Sequence, residues 1–102
     1  MSRILSIAYK LVRTSRVLRD RAKLIELRLR GVSVHSSALV APGAVIEPSG
    51  GRVVIGARTF IDRGVVIRPL GGSVEIGDDC SVNAYSVLSG GGGLRVGNGV
   101  RI

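Results

Sequence analysis

At intervals of 21 and then 20 residues this chain returns to the same pair of residue types, in Ile55-Gly56, Ile76-Gly77 and Val96-Gly97. Inside each interval aliphatic residues recur every six. They fall at Val34, Val40 and Ile46; at Ile55, Ile61 and Ile67; at Ile76, Val82 and Leu88; and at Val96 and Ile102. The steps from Ile46 to Ile55, Ile67 to Ile76 and Leu88 to Val96 are nine, nine and eight, so the extra residues always enter at the same corner and are expected to bulge outward. A period of six under an eighteen-residue super-period suits neither an amphipathic helix, with its period near 3.6, nor a two-faced strand, with its period of 2. It suits stacked coils of three short strands, whose anchors pile into three columns around one narrow core.

Four residues after an anchor stands a small or modest side chain, at Ala38, Ala44, Thr59, Val65, Cys80, Ser86 and Val100, and these are expected to point inward as well. All 15 glycines lie after residue 30. Gly50-Gly51, Gly71-Gly72 and Gly90 to Gly93 gather at the inserted corner, where a tight turn calls for positive φ. Coils spaced by about 4.8 Å make three turns and part of a fourth a stub on the order of 15 Å tall. A repeat stack of that size needs covered ends. The sequence stops at Ile102 in mid-coil, so the expectation is a shortened chain or a fragment whose last edge invites association.

Residues 1–30 read differently. They hold no glycine or proline, and nine basic residues stand against Asp20 and Glu26, a net of +7, whereas residues 31–102 total only +1. Ile4, Leu11, Leu18 and Ile25 recur every seven residues, flanked by Ile7, Ala8, Val12, Ala22 and Leu29, an apolar stripe at helical spacing. The segment is expected to be an amphipathic helix, or two broken near Thr14-Ser15, ended by Gly31. One role for the stripe is to cover the open N-terminal end of the coils or to pair with the same helix of another subunit. A second, compatible with the first, is docking on an anionic membrane surface. Specific nucleic-acid binding is least favoured, because few aromatics are present for base stacking. No stretch reaches the roughly 18 apolar residues of a membrane span. The run from Ile4 to Tyr9 is too short for a signal-peptide core. With the single thiol of Cys80, this points to a cytoplasmic protein, peripheral at the membrane if the arm docks there.

The stretch from Ile76 onward, IGDDCSVNAYSVLSGGGGLRVGNGVRI, together with the repeat, resembles the hexapeptide-repeat acyltransferases. The likeness covers residues 31–102 and is nearest to the maltose and galactoside O-acetyltransferases and to relatives among surface-polysaccharide genes. It implies an all-β solenoid, a left-handed parallel β-helix of about three coils and a partial fourth behind the N-terminal helix. The handedness comes from the resemblance alone, since parallel crossovers are otherwise right-handed. It also implies acetyl-CoA as acyl donor, a sugar or lipid-linked glycan precursor as acceptor, and a homotrimer with the donor in the groove between neighbouring β-helices. The asparagine that follows the Val82 anchor matches the family's acceptor-facing residue, which makes Asn83 the candidate for substrate binding and Tyr85 a neighbour able to stack on a sugar. An Asn that simply bonds backbone at its own turn is the equal alternative. Two departures stand out. Gly91 occupies a place where the family commonly has Asp or His, and the family's catalytic histidine would lie beyond Ile102, so no catalytic residue is assigned. Without a base, the loss is roughly 10²- to 10⁴-fold, and a noncatalytic, self-associating solenoid or remnant is the second expectation.

The only histidine, His35, falls in the outward column of Gly56, Gly77 and Gly97 and reads as a solvated surface imidazole. Ser89 to Gly93 lacks the Gly-Lys-Ser/Thr of a P-loop. Asp78-Asp79 lacks the alternating oxygen ligands of a calcium loop, so no metal is expected. Cys80 sits in an inward slot and reads as a buried, inert thiol.

Overall fold

The computed structural model describes residues 22–47 and 50–102. Most of the expected N-terminal arm, residues 1–21, therefore lies outside the described residues. What is described is one short helix and ten short strands, all paired in parallel. The helix, α1, covers residues 22–29. The strands are β1 (Ser33–Val34), β2 (Leu39–Val40), β3 (Val45–Ile46), β4 (Arg52–Ile55), β5 (Phe60–Ile61), β6 (Val66–Arg68), β7 (Ser73–Ile76), β8 (Ser81–Val82), β9 (Val87–Ser89) and β10 (Leu94–Val96). The chain visits three sheets in rotation: β1-β4-β7-β10 form the first, β2-β5-β8 the second and β3-β6-β9 the third.

The registers place the anchors over one another. Val34 pairs with Ile55, Ile55 with Ile76 and Ile76 with Val96 in the first sheet. Val40, Ile61 and Val82 align in the second, and Ile46, Ile67 and Leu88 in the third. Their side chains, with Ala38, Ala44, Val65 and Cys80 from the slots four residues on, belong to a single buried apolar cluster, except that of Val96, which is half-buried and packs against it. β-Branched residues suit these positions, because short extended segments tolerate their restricted χ1 and burial rewards their bulk. A fully buried Ile or Val contributes roughly 1.5–3 kcal/mol. Of the expected inward residues, Ser86 is only half-buried and Val100 is exposed, because no described coil lies over them.

The inserted corner differs from the outward bulge expected of it. Part of the extra length extends β4 and β7 to four residues each, and Val53 and Val74 turn inward as a second buried pair in mutual register. Leu94 continues that row against Val74. Only the remainder forms the turn, where Gly50, Gly71 and Gly93 take positive φ. The shorter third step is absorbed there too: Arg68 pairs with Ser89 at an offset of 21, but Val74 pairs with Leu94 at 20. Gly56 and Gly77 answer to a different constraint. Neither is left-handed; a Cβ on Gly56 would strike the Gly77 backbone and the Asp78 carboxylate of the next coil.

The helix ends as the sequence implies, on Gly31, with φ of +90°. The Val32 N–H donates to the Leu27 carbonyl and the Gly31 N–H to the Arg28 carbonyl, a Schellman pair of bonds, and Val32 is buried with Leu27. Arg28 donates from Nε and Nη2 to the Val34 carbonyl, pinning α1 to β1. The helix does pack on the sheet core, but not through the heptad stripe. Leu24 and Leu27 enter the core cluster, whereas Ile25 and Leu29 are 58% and 83% exposed. The reason is angular: on a helix, positions 24 and 27 share a face that excludes 22, 25 and 29.

Candidate functional site

Between the second and third sheets the chain makes three stacked four-residue turns, Ala41 to Ala44, Asp62 to Val65 and Asn83 to Ser86. Each is closed by the N–H of its last residue donating to the carbonyl of its first, at 3.0, 3.4 and 3.3 Å. Successive levels bond across the stack, with Asp62 N–H to Val82 O at 3.0 Å and Asn83 N–H to Ile102 O at 2.9 Å. The column of first positions thus reads Ala41, Asp62, Asn83, and the column of third positions Gly43, Gly64, Tyr85.

A third turn position with φ above zero is ordinarily a glycine position. Gly64 fills it at +69°, but Tyr85 occupies it at +65° in the next coil. For a residue with a Cβ that conformation costs about 1–2 kcal/mol. The Tyr85 ring lies directly on Gly64, where any Cβ would collide with Cδ1 and Cε1 of the ring. The Arg63 guanidinium carbon stands 5.8 Å from the ring centroid, within cation–π range. The Tyr85 phenol oxygen first, and the Asp62 carboxylate after it, push the Arg63 guanidinium above its ordinary pKa. Tyr85 as a residue nevertheless stays 71% exposed, and Asn83 is exposed beside it. The structure therefore brings Asn83 and Tyr85 to one corner. It adds Asp62 and Arg63, which were not singled out in the sequence although their 21-residue offsets from Asn83 and Ala84 would have found them. Asp62 Oδ1 accepts the Arg63 backbone N–H at 2.7 Å, which ties that carboxylate to its own turn. The Asn83 amide, the Arg63 guanidinium and the Tyr85 phenol at this corner can exchange hydrogen bonds with a polyhydroxylated molecule whose C–H face stacks on the ring.

The other candidates lie elsewhere. His35 is exposed at the corner between the first and second sheets, two coils before Asn83, with Nδ1 2.8 Å from Ser37 Oγ. That corner is a structural ladder. Ser37 Oγ accepts from Arg58 N–H at 2.9 Å, Asp78 Oδ1 from Ala57 N–H at 2.7 Å and Asn98 Oδ1 from Asp78 N–H at 2.8 Å. Arg58 and Asp79, both left-handed, join through two hydrogen bonds of 2.7 and 3.1 Å. Cys80 is buried and its Sγ lies 3.0 Å from the Gly97 carbonyl, consistent with an inert thiol. The glycine run Gly90 to Gly93 leads into strand β10 rather than into a helix. Among the described residues no three His, Cys, Asp or Glu gather in a metal-binding group, and no helix is long and apolar enough to cross a membrane.

Compared with protein-family models, with curated proteins and with solved structures, the chain matches none of them.

Proposed function

We propose that this chain is a left-handed parallel β-helix of the hexapeptide-repeat acyltransferase type, transferring an acetyl group from acetyl-CoA to a hydroxyl of a sugar or a lipid-linked glycan precursor. The observation that carries the reading is the coincidence of two things: anchors aligned at 21, 21 and 20 residues in one three-sheet register, and Asn83 with Tyr85 on a single open corner of that stack. In this reading Tyr85 is the stacking platform, Asn83 orients the acceptor hydroxyl, and Arg63 bonds neighbouring hydroxyls. The acceptor oxygen attacks the thioester carbonyl, its proton passes to a base, and the C–S bond breaks to release CoA as the thiol. The resemblance assigns that base to a histidine of a following coil. It also assigns the donor to the groove between subunits of a homotrimer.

A second reading, a noncatalytic and self-associating β-solenoid, is favoured by the outer surface of the third sheet. There Val45, Val66 and Val87 align across the strands, and Val45 and Val87 are exposed.

One experiment tests the first reading: titration of the protein with a panel of mono- and oligosaccharides, followed by amide chemical shifts, with thiol release from acetyl-CoA measured in parallel. Expected is saturable binding that moves the Asn83 and Tyr85 amides and weakens roughly two- to tenfold in Asn83→Ala, as one lost neutral hydrogen bond implies, and about tenfold or more in Tyr85→Ala, as a lost stacking contact implies. A protein that ignores every sugar and releases no thiol, yet sediments as a high oligomer dispersed by Val66→Glu, would establish the second reading instead.

A further inference from the structure

We infer that helix α1 is two-sided, holding the sheet core with Leu24 and Leu27 while its opposite face, Ile25 and Leu29, seats on an anionic lipid surface. The inference is independent of the acyl-transfer reading and stands on three observations. The first is how the helix is fixed. Leu24 and Leu27 are buried, Arg28 is tied by two hydrogen bonds to the Val34 carbonyl, and the Schellman bonds fix the exit of the chain. The helix therefore cannot roll to bury Ile25 and Leu29 without breaking contacts already made, and both remain exposed.

The second is phase. Ala22, Ile25 and Leu29 lie on one helical face, Ala22 being exposed too, and in the sequence Ile25 is preceded at intervals of seven by Leu18, Leu11 and Ile4. The third is charge. Residues 1–30 carry +7 with both acids already subtracted, and Glu26, one of the two, lies 3.9 Å from the Lys23 ammonium and 3.5 Å from the Arg30 guanidinium.

These observations select among occupants. A second copy of the arm would cover the apolar face but would set +7 against +7. An anionic bilayer offers acyl chains to Ile25 and Leu29 and phosphates to the basic residues of the same sequence segment at once.

The test is flotation of the full chain with vesicles of phosphatidylcholine alone or of equal parts phosphatidylcholine and phosphatidylglycerol. The wild type should float with the anionic vesicles at low salt, weakly with the neutral ones, and lose binding as salt shortens the reach of surface charge. Ile25→Ser with Leu29→Ser should keep its circular dichroism and sediment as the wild type does. Its binding constant should fall about a hundredfold or more, from two aliphatic side chains no longer inserted. A second variant, Arg13→Gln with Arg16→Gln and Arg19→Gln, should lose about fivefold per charge and respond less to salt. Three results would overturn the inference: no flotation of the wild type at low salt, equal flotation on neutral vesicles, or a double serine variant that floats as well as the wild type. Dispersal of a wild-type oligomer by the serine pair, without any lipid binding, would also overturn it and make a second copy the occupant.

Discussion

Thr59 is the one buried polar side chain among the described residues, and its environment sets up a sharp comparison between two small substitutions. Its hydroxyl donates to the Gly77 carbonyl at 2.7 Å and accepts the Cys80 N–H at 3.2 Å, so a single oxygen satisfies two backbone groups of the next coil. Thr59→Val keeps the shape but leaves both groups without a partner. Each orphaned buried group costs roughly 1–3 kcal/mol. The extra buried methyl returns about 0.8 kcal/mol. The net expectation is a loss of about 3 kcal/mol, a large share of a total stability of about 5–15 kcal/mol. Thr59→Ser keeps the oxygen and loses a methyl, a change of about 0.5–1.5 kcal/mol by analogy with Ile→Val. Guanidinium unfolding followed by far-ultraviolet circular dichroism should rank wild type above Ser above Val, with m unchanged. Hydrogen exchange at the Cys80 amide gives a local reading, which should accelerate in Val but not in Ser. A Val variant as stable as the wild type, with that amide still protected, would refute the bridging role and mean that the column tolerates a purely apolar core.

The two faces of α1 predict opposite outcomes: Leu27→Ala should lower stability by about 2–5 kcal/mol, Leu29→Ala should stay within about 0.5 kcal/mol, and paired thermal melts check both. Arg58 holds the Asp79 carboxyl below its ordinary 3.8, so the pair's contribution is present above that value and is lost as the pH falls through the lower folded one. An Asp79 titration by NMR should return toward the ordinary value in Arg58→Gln, and in the wild type at high salt, since both side chains are exposed. Gly64→Ala places a Cβ into the Tyr85 ring at a left-handed φ, so it should destabilise by more than about 1 kcal/mol and displace the ring, read as a change in tyrosine near-ultraviolet circular dichroism. Tyr85→Gly should cost little or no stability, as relieved strain of about 1–2 kcal/mol offsets the lost ring packing, while removing saccharide-induced shifts.

The inward columns could be read from the sequence because burial leaves them little choice. Val34, Ile55, Ile76 and Val96 must all be apolar, and a fixed number of residues per coil brings them into line. The same logic failed at Val53 and Val74, which are as buried as the anchors but occur at only one corner, outside the six-residue beat. It failed again at α1, where a heptad stripe suggested which face would be covered while the covered face was set by contacts with the sheets, which the helix's own periodicity does not contain. Turn residues were legible by type but not by reason. The glycines at Gly56 and Gly77 record close approach of backbone between coils, while those at Gly50, Gly71 and Gly93 record left-handed φ, and a sequence writes both with the same letter.

The candidate site lies where that loss of constraint is greatest, on side chains that the core does not specify. Left-handed strain by itself does not mark it, since Arg58 and Asp79 adopt the same conformation and offset it with a two-bond ion pair that satisfies both partners. At Tyr85 the offset is partial. The ring rests on Gly64 and in the field of Arg63, yet Tyr85 as a whole remains largely open to solvent, and Asn83 is exposed as well. A glycine there, as in the two preceding coils, would hold the turn without strain. An aromatic residue in its place gives the turn no advantage that glycine lacks. What it adds is an apolar face flanked by hydrogen-bonding groups, and such a surface gains free energy only when something with matching polar and apolar sides covers it.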